Sequence, residues 1–104
     1  PRNVQGAAAK AGVEAMIRVV AREEARKGIR ANALAIGLTD TDMAQTAFDR
    51  WGPETSKRIV EGIPLRRIGT AEEVADVACL MLGPRFSYLT GKVLQLDGGQ
   101  IIAG

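Results

Sequence analysis

The sequence predicts an α/β fold built on part of a parallel sheet, and three observations predict it. Residues 6–26 read as one helix with an apolar face. Residues 29–36 and 93–96 are short runs that are mainly apolar on both sides, as strands buried inside a parallel sheet must be. Helical patterns fill the interval between those runs, and strand, helices, strand in that order makes one right-handed crossover.

The first helix is set by Val13, Met16, Ile17, Val20 and Ala21, which recur at helical spacing on one face, expected to be core. Small residues (Ala7, Ala8, Ala9, Ala11, Gly12, Ala15) widen the apolar surface of its first half, where Lys10 and Glu14 are the charged exceptions. Charges gather after Ala21, and Gly28 suits a C-cap. The run over 29–36 lies between Gly28 and Gly37 and reads as a buried strand. The polar stretch 38–42 follows its C-terminal end, where the crevice of an open parallel sheet takes its ligands.

Residues 43–50 and 53–62 suit two short helices separated by Trp51, Gly52 and Pro53, with Ile59 and Val60 turned inward. Residues 63–69 read as an extended connector. Thr70 and Glu73 then form a capping box, and Val74, Val77, Ala78 and Met81 continue a helix over 71–82 until Gly83 and Pro84 stop it. Phe86, Tyr88 and Leu89 are expected to pack a loop. Thr90 and Gly91 turn the chain into the strand 93–96, Asp97 to Gly99 end it, and 100–104 is an apolar tail.

At 104 residues the chain is a single, partial domain at most. Hydrophobic content of 46% and charged content of 25% are those of an ordinary globular chain, without an apolar run of membrane-spanning length. The net charge is +2, with fourteen Lys and Arg interspersed among twelve Asp and Glu, so no basic stripe exists to track nucleic acid. There is no histidine, which removes Ser-His-Asp and Cys-His chemistry and the commonest metal ligand. Cys79, the one cysteine, lies in an apolar helical pattern and reads as a reduced, buried thiol, which fits a cytoplasmic setting. Asp40 and Asp42 are better explained by capping than by a cation, and no metal is expected. Trp51 and Tyr88 read as core or interface rather than ligand stackers. The start at Pro1, without a methionine or a signal-like segment, suggests a fragment or a processed product.

Three stretches, AAAKAGVEAMIRVVAREEARKGIRANALAIGLTDTDM, PLRRIGTAEEVADVACLML and YLTGKVLQLDGG, resemble in order and spacing the C-terminal part of the short-chain dehydrogenase/reductase family, most like the 3-oxoacyl-carrier-protein reductase type. The resemblance implies the C-terminal portion of a Rossmann-type, doubly wound parallel sheet and hydride transfer between NAD or NADP and a carbonyl or alcohol. It implies that Lys10 is the lysine of the Tyr-x-x-x-Lys motif, binding the nicotinamide ribose and lowering the pKa of the tyrosine. Gly6 stands where that tyrosine would be, and the stretch before Lys10 is shortened. The family's catalytic serine, asparagine and glycine-rich loop would precede Pro1, and no G-x-G-x-x-G occurs in this sequence.

The family's Pro-Gly after the strand appears as Ile36 and Gly37. The resemblance further implies that the following loop holds the nicotinamide carboxamide, with Thr39 and Thr41 at the cofactor-binding positions and Thr39 replacing a branched apolar residue. The residues alone give another reading, in which 39–42 cap the next helix through Thr41 or Asp42. The family also implies a homo-oligomer, with interfaces on the first helix and on the 71–82 helix with the last strand. Two functions follow: part of an oxidoreductase, inactive by itself, or a degenerate, non-catalytic oligomerisation scaffold. A separate N-terminal half is a further expected partner, whereas nucleic acid and membrane are not.

Overall fold

The computed structural model describes residues 4–101, so all but the first two residues of the expected apolar tail lie outside the described residues. The described residues fall into two compact units, one made of residues 4–34 and 80–94, the other of 35–79 and 95–101. The sheet has two strands, β1 (Ala33–Ile36) and β2 (Val93–Leu96), each of which begins in the first unit and ends in the second. Bonds from Ala33 N to Lys92 O (2.8 Å) and from Gly37 N to Leu96 O (2.9 Å) advance together along both strands, as parallel pairing requires.

In the first unit, α1 (Val4–Glu24) runs into a 3₁₀ turn over Ala25–Lys27. Gly28 ends it with φ of 77°, a left-handed conformation that glycine adopts without the Cβ penalty. The expected C-cap is therefore present. The expected core face is not buried in this chain: Val13, Met16 and Val20 are 54%, 65% and 42% exposed, and only Ala21 is buried. Helical spacing shows that a face is apolar, but its burial depends on distant residues, and the described ones leave most of it open, with Ile17 half-buried. Ala21 is the exception because Gly91 approaches it; a Cβ on Gly91 would lie 3.4 Å from the Ala21 Cβ.

The strand expected over 29–36 is half that length. Residues 31 and 32 are held by mixed bonds instead of a ladder: Ala31 N donates to Thr90 Oγ1, Gly91 N to Ala31 O, and Lys92 N to Asn32 Oδ1. The Asn32 side chain, by bonding where a neighbouring strand's backbone would, delays regular pairing until Ala33. Nor is β1 fully buried, since its first three residues are half-buried and Ile36 is exposed. Arg30 reaches across to three carbonyl oxygens, those of Met81 (3.0 Å), Gly83 (3.2 Å) and Leu89 (3.2 Å).

In the second unit, α2 (Asp42–Trp51) and α3 (Pro53–Glu61) are separated by Gly52, and Pro53 begins α3 where its missing N–H costs nothing. Trp51 packs edge-on against Phe48, with ring centroids 5.8 Å apart. Ile63 is the most buried side chain described, at 2% exposure, and Gly98 lies against it. Residues 63–69 form turns rather than an extended connector: Arg66 N donates to Ile63 O at 2.7 Å, with Arg66 at φ of 62°. A side chain is strained in that left-handed region. Arg66→Gly is expected to stabilise the chain by roughly 0.5–1 kcal/mol, relief of strain exceeding the added freedom of the unfolded glycine; the urea midpoint would show it.

Helix α4 (Ala71–Leu82) has the bounds expected from its capping box and from the Gly83-Pro84 stop. Two expectations around it are corrected. Cys79 is exposed, because it falls on the side of α4 away from the half-buried Val74, Val77 and Ala78. Tyr88 is fully exposed and packs nothing. Among the described residues no helix is long and apolar enough to cross a membrane.

Candidate functional site

The candidate site begins at Gly37, where the chain leaves β1. A Cβ built at this position would lie 2.7 Å from the Asp97 Cβ and 2.8 Å from the Asp97 Cα, so only glycine fits. Asp97 is itself fixed at the end of β2: its Oδ1 accepts from Gly99 N and its Oδ2 from Ile101 N. The exit of β1 is thus held against a carboxylate that organises the turn after β2.

The next residues are tied to a remote segment. Thr39 and Gly69 form an isolated parallel bridge, in which Gly69 N donates to Leu38 O at 2.9 Å and Asp40 N to Gly69 O at 2.8 Å. In that geometry the bonds use the neighbours of Thr39, and its own N–H and C=O are left for something else. The Thr39 hydroxyl donates to Gly37 O at 3.1 Å, bending the loop back on itself. Thr41 is the N-cap of α2, its Oγ1 accepting from Ala44 N at 3.2 Å, so the capping reading of residues 39–42 holds for Thr41. Asp40 Oδ1 accepts from Gln45 Nε2 and is exposed.

On the other side of the bridge, Thr70 and Glu73 complete the capping box: Glu73 N donates to Thr70 Oγ1 at 3.1 Å, and Thr70 N to Glu73 Oε1 at 2.9 Å. Arg67 grips the same carboxylate with both terminal nitrogens, each at 2.8 Å, and also donates to Ile68 O. These bonds, the Arg67 fork first and the Thr70 amide next, pull the Glu73 carboxyl down from its usual 4.5 to about 2. Its contribution to stability is therefore complete above pH 4.5 and fades as the pH falls towards 2. The Arg67 guanidinium is correspondingly raised by the same carboxylate.

A cavity of about 80 Å³ lies beside this bridge, lined by Thr39, Arg67, Thr70, Glu73 and Asp97 among others. It is far smaller than the roughly 300–1,000 Å³ of a ligand pocket. Gly37, Thr39 and Thr41 thus share one short loop of the second unit, whereas Lys10 belongs to the first unit, exposed on α1. Gly6 lies one turn before it on the same helix. Among the described residues no three His, Cys, Asp or Glu are grouped to hold a metal ion. Arg67, Gly69 and Asp97 were not picked out from the sequence as site residues. The capping box was the available signal for this corner, and it spoke only of α4.

A family model described as enoyl-(acyl carrier protein) reductase matches residues 2–100. The chain is 40% identical over 99 residues to a 3-oxoacyl-(acyl-carrier-protein) reductase of Chlamydia muridarum, covering 95% of this chain and 38% of that relative. A short-chain dehydrogenase of Bacillus anthracis superposes with a TM-score of 0.76 at 42% identity, over 90% of this chain and 35% of the other. This chain belongs to the short-chain dehydrogenase/reductase family. It has the family's α/β, Rossmann-type parallel architecture and spans a little over a third of the length of the curated relative just named. Another short-chain oxidoreductase, from Pseudomonas aeruginosa PAO1, is similar at 30% identity with a TM-score of 0.80, over 93% of this chain and 38% of that one; its structure holds NADPH and is described as having an atypical catalytic centre.

Proposed function

We propose that these residues are the C-terminal, cofactor-facing part of an oxidoreductase that moves hydride between NAD or NADP and a carbonyl or alcohol. The observation that carries the reading is the bridge at Thr39, which uses Leu38 O and Asp40 N and leaves the Thr39 N–H and C=O together at an exit of the parallel sheet. A carboxamide offers one acceptor and one donor, the complement of that pair. The nicotinamide supplies the hydride chemistry when bound. The chain's own contribution is positional: Gly37 allows the loop its close turn, Thr39 presents the amide-matching groups, Thr41 fixes the start of α2, and the Lys10 ammonium provides donors for a ribose diol. The NADPH in the Pseudomonas relative supports this family-level cofactor.

Gly6 has no side chain that can carry a proton, so the 104 residues by themselves are proposed to bind without turning over. A cytoplasmic setting and self-association belong to the same proposal. A second reading, a non-catalytic oligomerisation scaffold, is favoured by one observation: the apolar face of α1 at Val13, Met16 and Val20 is exposed in this chain.

Titration of the purified chain with NADH and NADPH, followed by nicotinamide fluorescence and with oligomeric mass measured in the same sample, separates the two. The first reading expects a saturable change that Lys10→Ala weakens severalfold, with no oxidation of NADPH when a β-keto thioester is added. Absence of binding by a folded, self-associated chain supports the scaffold.

A further inference from the structure

We propose that Arg67 and Glu73 are positioning residues for the loop at 37–41, acting through the Thr39 bridge and not merely through the start of α4. This deepens the reading above and rests on it only for what the loop would hold.

Glu73 serves two partners at once. Its Oε1 caps the Thr70 amide, and both its oxygens are held in the Arg67 fork. Thr70 follows Gly69 directly, and Gly69 is the residue whose amide and carbonyl clasp Leu38 and Asp40. A Cβ placed on Gly69 would lie 3.8 Å from the Thr39 hydroxyl and 3.9 Å from Glu73 Oε1, so carboxylate, bridge and loop are contiguous. A capping box alone would orient Thr70. The added fork fixes the approach to Gly69 from the other side too, because Arg67 also donates to the Ile68 carbonyl. Residues 67–70 are thereby held at both ends of the single residue that pairs with Thr39. An isolated bridge has no neighbouring ladder to hold its geometry, so its partner must be fixed by other bonds.

The test is amide hydrogen exchange on the full 104-residue chain, comparing wild type with Arg67→Ala, Arg67→Lys and Glu73→Gln. The amides of Asp40 and Gly69 report the bridge, while those of Ala78 and Cys79 report the body of α4. Loss of the exposed fork in Arg67→Ala is expected to speed exchange at Asp40 and Gly69 by roughly two- to fivefold, with a smaller change at Ala78 and Cys79. Arg67→Lys, which keeps the charge without the fork, is expected to restore only part of that protection. Glu73→Gln, which retains an acceptor for Thr70 N, is expected to behave like Arg67→Ala. Unchanged exchange at Asp40 and Gly69, or equal loss throughout α4, overturns the proposal. The same variants titrated with NADPH separate it from the cofactor reading: faster bridge exchange in a chain that never binds NADPH sustains the positioning role and sinks only the proposed ligand.

Discussion

Arg30→Met is expected to lower the stability of the chain by roughly 2–3 kcal/mol, although the substitution keeps the length and the apolar stem of the side chain. The guanidinium bonds three carbonyl oxygens, at Met81, Gly83 and Leu89. Those of Met81 and Gly83 belong to the end of α4, where carbonyls have no partner within the helix and a positive charge suits the dipole. The planar fork serves all three because its donors diverge from one rigid group. Leu89 O also accepts from Asn32 Nδ2 at 2.9 Å, so the arginine and the asparagine together fasten residues 30–32 to the loop after α4. Urea unfolding followed by circular dichroism would measure the loss, and Arg30→Lys should recover less than half of it. An unchanged midpoint would mean that water satisfies these carbonyls as well as the arginine does.

Gly37→Ala is expected to cost about 2–3 kcal/mol, near the upper end for overpacking by one methyl group. The reason is the identity of the colliding atom: the new Cβ would meet the Asp97 Cα at 2.8 Å, and backbone cannot rotate aside as a side chain can. Gly12→Ala provides the contrast within the same chain. Gly12 lies inside α1 with nothing within 4 Å of a built Cβ, and its replacement should stabilise by roughly 0.5–1 kcal/mol. Paired denaturant midpoints of the two variants therefore move in opposite directions. Gly37→Ala should also weaken any NADPH binding, because Thr39 Oγ1 bonds to the carbonyl of residue 37.

What the sequence made legible follows the range of the forces involved. Helix α4 had the expected bounds because its signals are local: Thr70 and Glu73 bond each other three residues apart, and Gly83 with Pro84 ends the turn. Gly28 and the Thr41 cap were readable for the same reason. Burial was not, because it is decided by residues far along the chain. Val13 and Met16 have the spacing of a core face and remain exposed, and Tyr88 and Cys79 had no covering partner where apolar pattern suggested one. β1 starts later than the apolar run suggests because Asn32 bonds Leu89 and Lys92 from a separation of about sixty residues. Within the candidate site, the resemblance to the family supplied Lys10, Gly37, Thr39 and Thr41. The bridge of Thr39 to Gly69 joins segments thirty residues apart, a distance at which a single sequence carries no pairing signal; the fork of Arg67 reaches Glu73 only six residues on, but across turns where an extended connector was expected.

The close approach of Gly37 to Asp97 also decides which residue of β1 faces which residue of β2. The sequence ALAI is apolar on both faces, so its alternation does little to forbid a slip of one residue along the partner strand. Gly37 removes that freedom. Sliding β1 by one position in either direction would bring Ile36 or Leu38 to the place where only a hydrogen atom fits. A single missing methyl group thus acts as an indexing notch for the strand pair, keeping the amide and carbonyl of Thr39 at a constant height above the sheet's end.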